Sequence, residues 1–425
     1  MDITIRSSKK IEGKINAPSS KSYMQRAVVA ALLSEGETKI LNPSFCDDSL
    51  VSIEAAKVLG AEIIEERNYL IIKGGLKKTL PSRTINCGEA GLAIRMFTPV
   101  ASLCTKKIHF TGMKSLTKRP INMIEKPLKD LGVNCKTTNG FIPVEITGPV
   151  QGGNVIVDGS LSSQFLTGLL LALPCAENDS IIEVINLKSS PYIDMTLEVI
   201  SKFGVEIKKY DDEYKKFFIK GNQKYKPSEV TIEGDWSGAS FLLVAGAVGG
   251  RVEVGYLNSD SNQGDRKIID VLKLAGADVF CDSNSNSVIV KKNELNPFKF
   301  DATDCPDLFP PIVSLAANCI GVSIIKGISR LAHKESDRAL VLKKELGKIG
   351  VKIVLDREKD TMTVYGGSVR GGKVFSYNDH RIAMVGAIAG INSKNSIVVQ
   401  SSECISKSYN KFYDDFKNIG GNIYE

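Results

Sequence analysis

Six glycines at near-constant spacing constrain this chain more than any other feature. Each follows an apolar residue and is followed by a small, a polar and an apolar residue in turn. The segments are Leu59-Gly60-Ala61-Glu62-Ile63, Leu131-Gly132-Val133-Asn134-Cys135, Phe203-Gly204-Val205-Glu206-Ile207, Ala275-Gly276-Ala277-Asp278-Val279, Ile349-Gly350-Val351-Lys352-Ile353 and Ile419-Gly420-Gly421-Asn422-Ile423. Successive glycines stand 72, 72, 72, 74 and 70 residues apart. Such a period points to one supersecondary unit used six times, and it is too long for the common helical or leucine-rich arrays.

Each glycine predicts a helix end, because the left-handed residue after a helix is least strained without a Cβ. A strand should follow, as over 61–65 and 351–355. An amphipathic helix should precede, as over 193–203 and 337–349. A second helix opens each unit, and its Ala, Leu and Val content predicts burial nearly all round. These six helices are expected at 27–33, 92–103, 165–173, 239–248, 308–317 and 382–391. Further strands are expected at 108–111, 155–158, 181–185, 230–233, 287–290 and 396–400. A length of 425 residues suits two domains better than one, so the six units divide into two lobes of three.

Composition narrows the function classes. Hydrophobic residues make up 43% and charged residues 24%, ordinary for a soluble globular chain with a core large enough to need no staple. Nine Cys without a C-x-x-C, with Cys104, Cys175 and Cys319 in apolar surroundings, read as buried thiols of a reducing compartment. Only three His (His109, His333, His380), without a His-Glu-x-x-His motif, argue against zinc. The net charge of +7 is dispersed, with no basic run interleaved with aromatics, which argues against nucleic acid. Residues 1–10 lack the apolar stretch of a signal peptide, and the apolar runs 165–174 and 241–249 are too short to span a bilayer. The expected location is the cytoplasm.

Polar clusters fall at the expected helix starts. They are Pro18-Ser19-Ser20-Lys21-Ser22 with Arg26, Cys87-Gly88-Glu89-Ala90-Gly91 with Arg95, Ser162-Ser163-Gln164, Asp235-Trp236-Ser237, Asp304-Cys305-Pro306-Asp307 and Asp379-His380-Arg381. The amphipathic helices begin alike, with Arg119-Pro120, Lys334-Glu335-Ser336-Asp337-Arg338 and Lys407-Ser408. Helix capping accounts for most of the Ser, Asp and Gly, including Asp47 and Asp235, and Pro120 suits a first helical turn. Trp236 reads as a packing residue. The cations are different, because Lys or Arg near a helix start opposes the macrodipole by about 0.3–1 kcal/mol each. Repetition of that violation suggests an anion site. Helix N-termini offer free N–H groups, and guanidinium forks add bidentate recognition of phosphate and carboxylate. The competing reading pairs each cation with a surface carboxylate. For acid–base chemistry the candidates are Asp307 and Glu335, neither followed by a base four residues on, and His380, for which a structural role is the alternative. No Walker A motif or Rossmann glycine fingerprint occurs.

With these segments in order, the chain resembles the EPSP synthase family of the enolpyruvyl transferase superfamily. Further matching elements are Phe165-Leu166-Thr167, Lys118 before Arg119, Pro191-Tyr192-Ile193-Asp194, Glu233-Gly234-Asp235, Gln263-Gly264-Asp265 and Asn378 before Asp379. The resemblance runs from about Ile15 to Lys407. It implies an α/β, two-lobed fold of six βαβαββ units, three per lobe, in an inverted barrel-like arrangement with helices directed at a central cleft. One lobe would comprise residues 1–16 and 231–425, the other 17–230, and the lobes would close on substrate.

The resemblance also implies a reaction. Shikimate 3-phosphate would be held by Ser22, Arg26, Ser162, Ser163, Ser189, Tyr192, Asp307 and Lys334. Phosphoenolpyruvate would be held by Lys21, Gly91, Arg119, Gln164, Arg338, Arg381 and Lys407. The sugar 5-hydroxyl would attack C2 of the enol while C3 gains a proton, and phosphate would then leave, a step of chorismate and aromatic amino-acid biosynthesis. Among the catalytic set Lys21, Asp307, Glu335 and His380, Asp307 would handle the hydroxyl proton, Glu335 the methyl proton and Lys21 the departing phosphate. The implied enzyme is a monomer with two small-molecule substrates, no cofactor, no metal and no nucleic-acid or membrane partner. The chain departs from the family pattern at Glu89, where the family often has Asn, at Met96, where it often has Pro or Leu, and at Arg330, where some members carry a phosphate-contacting Asn. Two rival readings share the fold: an enolpyruvyl transferase acting on UDP-N-acetylglucosamine, and a non-catalytic anion-binding protein. The first lacks a convincing counterpart here of its loop Cys, and the presence of both Asp307 and Glu335 argues against the second.

Overall fold

The six repeat glycines all adopt left-handed backbone, with φ between 74° and 109°. In each repeat the N–H after the glycine donates back to a carbonyl five residues earlier. The pairs are Ala61 to Ala56, Val133 to Leu128, Val205 to Ile200, Ala277 to Leu272, Val351 to Leu346 and Gly421 to Phe416, at 2.8–3.4 Å. This is the Schellman closure, which satisfies carbonyls that a helix end leaves open. The computed structural model describes residues 1–79, 81–211 and 213–424.

The chain forms two compact units, Ser19–Ile232 and Met1–Pro18 with Glu233–Glu425. In the Ser19–Ile232 unit the helices are α1 (Lys21–Leu33), α2 (Asp47–Val58), α3 (Gly91–Ala101), α4 (Glu125–Asp130), α5 (Gln164–Ala172) and α6 (Pro191–Lys202). Three four-stranded sheets accompany them, in spatial order Glu229–Thr231, Glu37–Leu41, Tyr69–Lys73, Glu62–Glu65; then Arg83–Asn86, Ile108–Thr111, Phe141–Thr147, Asn134–Thr138; then Gly153–Asp158, Ser180–Ile185, Lys216–Ile219, Ile207–Lys209. In every sheet the first pair is parallel and the next two pairs are antiparallel. The unit's last strand returns to complete its first sheet, Val230 standing opposite Ile40.

The other unit repeats the plan with α7 (Trp236–Gly249), α8 (Ile268–Leu274), α9 (Phe309–Asn318), α10 (Arg338–Lys348), α11 (His380–Gly390) and α12 (Phe412–Asn418). Its three sheets have the same pairing pattern. Two of their strands come from the N-terminus: Ile11–Asn16 runs parallel to Gly250–Gly255, and Ile3–Arg6 lies between Ile397–Gln400 and Asn422–Tyr424.

Odd-numbered helices are the buried ones. Leu169, Leu170 and Leu171 of α5 are fully enclosed, as are Phe241, Leu242 and Leu243 of α7. Each such side chain contributes about 1.5–3 kcal/mol of burial free energy before conformational entropy is subtracted. α3 and α5 approach closely because Gly168 has no side chain: a Cβ there would lie 2.8 Å from the carbonyl oxygens of Arg95 and Met96. That contact brings the starts of α3 and α5 together.

Several local expectations change. α1 begins at Lys21 rather than residue 27, because Ser20 accepts from the Tyr23 N–H and caps the helix ahead of the polar cluster. Asp47 is the first residue of α2 and Cys46 holds the cap position, so Asp47 acts on the helix dipole rather than as its cap. Asp235 does cap α7, accepting from Gly238 N at 2.8 Å. Pro120 lies outside any helix, between the 3₁₀ turns Lys114–Lys118 and Asn122–Ile124. Lys407 ends the 3₁₀ turn Ser402–Lys407 instead of opening α12. Cys175 is only partly buried.

Candidate active site

In the Ser19–Ile232 unit, helix starts present a cationic set. Arg95, one turn into α3, donates to Gly91 O at 3.1 Å, to Gln164 Oε1 at 3.3 Å and to Pro120 O at 2.9 Å. Gly91 is flanked by two guanidiniums: a Cβ there would lie 2.6 Å from Nη1 of Arg119 and 2.9 Å from Nη1 of Arg95. Gly91, Arg95, Arg119 and Gln164 therefore form one group. Ser162 caps the start of α5, accepting from Gln164 N at 3.1 Å, while Ser163 beside it makes no side-chain cap.

Arg26 forms the next link. It is buried, and its donors go to Ser22 O (2.7 Å), Thr196 Oγ1 (2.9 Å), Tyr192 O (3.2 Å) and Thr167 Oγ1 (3.4 Å). Burial pulls its pKa down to about 10. These acceptors are neutral, so the charge is solvated by dipoles. Tyr192 lies in the first turn of α6, and just before that helix Ser189 holds φ 61°, an uncommon backbone for a non-glycine residue and one that gathers at functional sites. Lys21 pairs with Asp48 at 2.9 Å, and Asp48 O accepts from Gln25 at 2.7 Å, so α1 and α2 hold the lysine between them.

The second unit gathers a denser network. Asp307, in the turn before α9, accepts from Arg338 Nη1 at 2.6 Å and Lys334 Nζ at 3.2 Å, with Arg381 Nη2 at 3.5 Å. Glu335 accepts from Arg338 Nη2 at 2.5 Å, a pairing three residues apart that a search for partners at i+4 overlooks. Burial opposes ionisation of Asp307, but Arg381, Lys334 and Arg338 overcome it and hold the carboxyl well below its usual range. Burial also lowers the Lys334 pKa, partly offset by Asp307. Arg381 is buried, and its Nε and Nη1 meet no acceptor among the described residues. Donors left open in this way suit a carboxylate or phosphate.

Lys407 donates to Asn378 O at 2.5 Å. That oxygen is presented by two consecutive left-handed residues, Tyr377 and Asn378 (φ 55° and 57°), which end at the α11 cap Asp379. His380 is the first residue of α11 and is buried, with Nδ1 4.0 Å from Asp379 Oδ1. Arg330 is partly buried, in the field of Asp304, Asp307 and Asp360.

Three acidic residues outside the expected set emerge. Asp48 holds Lys21, Asp379 holds Arg338, and Asp265 lies fully buried, accepting from Ser237 Oγ. Asp265 belongs to the family-matching segment Gln263-Gly264-Asp265, which signals it in the sequence, whereas Asp48 is hidden beside Asp47, for which capping is the simpler expectation.

Two units of three like-built sheets, each with a cationic group at its helix starts, define the enolpyruvyl transferase class of fold. Solved structures share it. An EPSP synthase from Acinetobacter baumannii superposes with TM-score 0.83 at 24% identity, covering 100% of this chain and 99% of that one. The enolpyruvyl transferase NikO from Streptomyces tendae gives 0.77 at 15%, covering 100% and 98%. At these identities the likeness establishes the fold.

Sequence relationships go further. The family model described as EPSP synthase (3-phosphoshikimate 1-carboxyvinyltransferase) matches residues 5–416. Relatives named 3-phosphoshikimate 1-carboxyvinyltransferase from Clostridium kluyveri and Clostridium novyi are each 38% identical, over 98% of this chain and 97% of the relative. The chain belongs to the EPSP synthase family.

Proposed function

We propose that this chain transfers the enolpyruvyl group of phosphoenolpyruvate to the 5-hydroxyl of shikimate 3-phosphate and releases phosphate, by addition followed by elimination. The observation that carries the reading is the single carboxylate of Asp307 shared by Arg338, Lys334 and Arg381. Both substrates are phosphorylated carboxylates, so two anions must be brought together against their repulsion, and preorganised cations offset it. While three cations hold Asp307, it is a poor base. An anion that takes over those cations raises its pKa and frees it to accept the hydroxyl proton. Glu335, on the same arginine, is assigned the proton delivered to the methylene carbon in the addition and the one removed from the resulting methyl group as phosphate leaves. Lys21, steadied by Asp48, is assigned the departing phosphate.

The remaining assignments follow the same chemistry. Gly91, Arg119, Gln164, Arg338, Arg381 and Lys407 serve phosphoenolpyruvate, and Ser22, Ser162, Ser163, Ser189, Tyr192 and Lys334 serve shikimate 3-phosphate. Arg26 is assigned to shikimate 3-phosphate with them, and it also braces the Tyr192 carbonyl. His380, with Nδ1 4.0 Å from Asp379, is assigned as a further proton carrier. No helix is long and apolar enough to cross a membrane among the described residues. The enzyme is taken to act as a cytoplasmic monomer.

The test is inorganic phosphate release with phosphoenolpyruvate and either acceptor. Release with shikimate 3-phosphate alone is expected. Release only with UDP-N-acetylglucosamine would identify the sister activity, and release with neither would leave an anion-binding protein.

A further inference from the structure

Glu89 places a carboxylate two residues before Gly91, beside a position assigned above to phosphoenolpyruvate. Left open, that charge would repel phosphoenolpyruvate. The structure shows a use for it. Glu89 Oε2 accepts from the Ser115 hydroxyl at 2.7 Å and the Ser115 N–H at 3.2 Å, and Lys114 Nζ stands 3.8 Å from Oε1. Ser115 and Lys114 belong to the 3₁₀ turn Lys114–Lys118, which leads directly into Arg119. A backbone bond from Met113 N to Gly88 O at 2.8 Å runs alongside. The two segments approach closely at Gly112, where a Cβ would lie 2.9 Å from Gly88 O. Lys114 holds φ 46°, so the turn that Glu89 grips begins in an uncommon backbone conformation needing outside support. At the far end of the turn, the Arg119 guanidinium lies against Gly91, where an added Cβ would stand 2.6 Å from its Nη1.

We propose that Glu89 is a positioning residue for the enolpyruvyl donor, which by gripping Ser115 fixes the turn that sets Arg119 against Gly91. This rests on the assignment of Arg119 to phosphoenolpyruvate made above. Charge-assisted hydrogen bonds to a hydroxyl and an amide hold geometry better than neutral ones, and here they also neutralise part of the carboxylate's field.

Steady-state kinetics with both substrates varied provide the test. Glu89→Ala is expected to raise KM for phosphoenolpyruvate about tenfold while leaving KM for shikimate 3-phosphate near the wild-type value. Glu89→Gln retains an acceptor for the Ser115 hydroxyl and is expected to recover most of that loss. Ser115→Ala should shift the same constant in the same direction, and the Glu89→Ala/Ser115→Ala double variant should be no worse than Glu89→Ala alone, since the two act as one contact. A fall in KM for phosphoenolpyruvate in both Glu89 variants would overturn the proposal, showing the carboxylate to be a charge penalty. Additive losses, or unchanged KM, would also overturn it. If the wild type releases no phosphate, the functional reading fails instead. The tether is then judged by hydrogen exchange: faster exchange at Ser115–Arg119 in Glu89→Ala but not in Glu89→Gln supports it, and unchanged exchange refutes it.

Discussion

Asp379 grips Arg338 at two points, Oδ2 to Nε at 2.9 Å and Oδ1 to Nη2 at 3.3 Å, with both side chains buried. The same carboxylate accepts from Arg381 N at 3.0 Å, capping α11, and from Ser336 Oγ at 3.0 Å. One side chain thus fixes a helix start and orients the arginine that reaches Asp307 and Glu335. Burial opposes the Arg338 charge, but Asp379, Glu335 and Asp307 prevail and push its pKa upward.

Asp379→Ala should therefore cost about 3–5 kcal/mol, the range for stranding one partner of a buried pair. Asp379→Asn keeps an acceptor for the cap and should cost less. Guanidinium chloride midpoints measure both, and an alanine variant as stable as the wild type would remove Asp379 from this role.

Asp307→Asn leaves Lys334, Arg338 and Arg381 facing one another without their shared carboxylate. Turnover should fall by at least about a hundredfold if Asp307 carries the hydroxyl proton. The pKa of Asp307 is lower in the folded state than the unfolded carboxylate value. Its stabilising contribution is therefore present above that value and lost as pH falls below about 4. The stability gap between wild type and variant should stay level from pH 8 to about 5 and close in stronger acid. Inorganic phosphate should raise the melting temperature of the variant more than that of the wild type, because an added anion replaces the missing one. Equal shifts in the two proteins would contradict the charge accounting.

The repeat was legible because its signal is local. A left-handed residue after a helix selects glycine, and the six closures at Gly60, Gly132, Gly204, Gly276, Gly350 and Gly420 follow from backbone sterics alone. The cations at helix starts were legible for the converse reason, since Lys21, Arg95 and Arg338 sit where a helix dipole disfavours them. Their partners were hidden. Arg26 meets Thr167 and Thr196 across 141 and 170 residues, and Arg338 meets Asp379 across 41. No local rule links such positions. Glu89 was readable only as a charge, because its partner Ser115 lies 26 residues away.

Asp265 predicts a pH dependence of opposite sign. Burial, reinforced by Asp307, raises its pKa to about 6, while Arg381 and the Ser237 hydroxyl oppose the rise and Asp235 adds to it. The folded state then binds a proton that the unfolded state has released, so stability falls as pH climbs from about 4 through 6. Asp265→Asn, which can still accept from Ser237, carries no charge to desolvate. Its melting temperature relative to wild type should be most favourable at pH 7–8 and lose that advantage toward pH 4. Thermal melts across this range decide the point, and a pH-independent difference would count against it.

Two glycine-to-alanine substitutions should separate site from scaffold. At Gly91 the added methyl meets only the ends of two flexible side chains, Arg119 and Arg95, so the fold can yield by moving them. Such a movement displaces Arg119, which is assigned to phosphoenolpyruvate, and a misplacement of about 1 Å in a reacting site can cost a hundredfold in rate. At Gly276 the methyl lies 2.7 Å from the backbone oxygen of Glu294, and φ is 89°, so neither the neighbour nor the chain can yield easily. That strain should cost about 1–3 kcal/mol, or about 2–10 °C in melting temperature. Gly91→Ala is thus expected to lose kcat/KM with little change in melting, and Gly276→Ala to lose melting temperature with little change in kcat/KM. The comparison is informative because the chemical change is identical at both positions and only its surroundings differ. Were Gly91→Ala to lose stability as steeply as Gly276→Ala while keeping its kinetics, the Arg119 guanidinium beside Gly91 would be a packing element rather than a ligand for an anion.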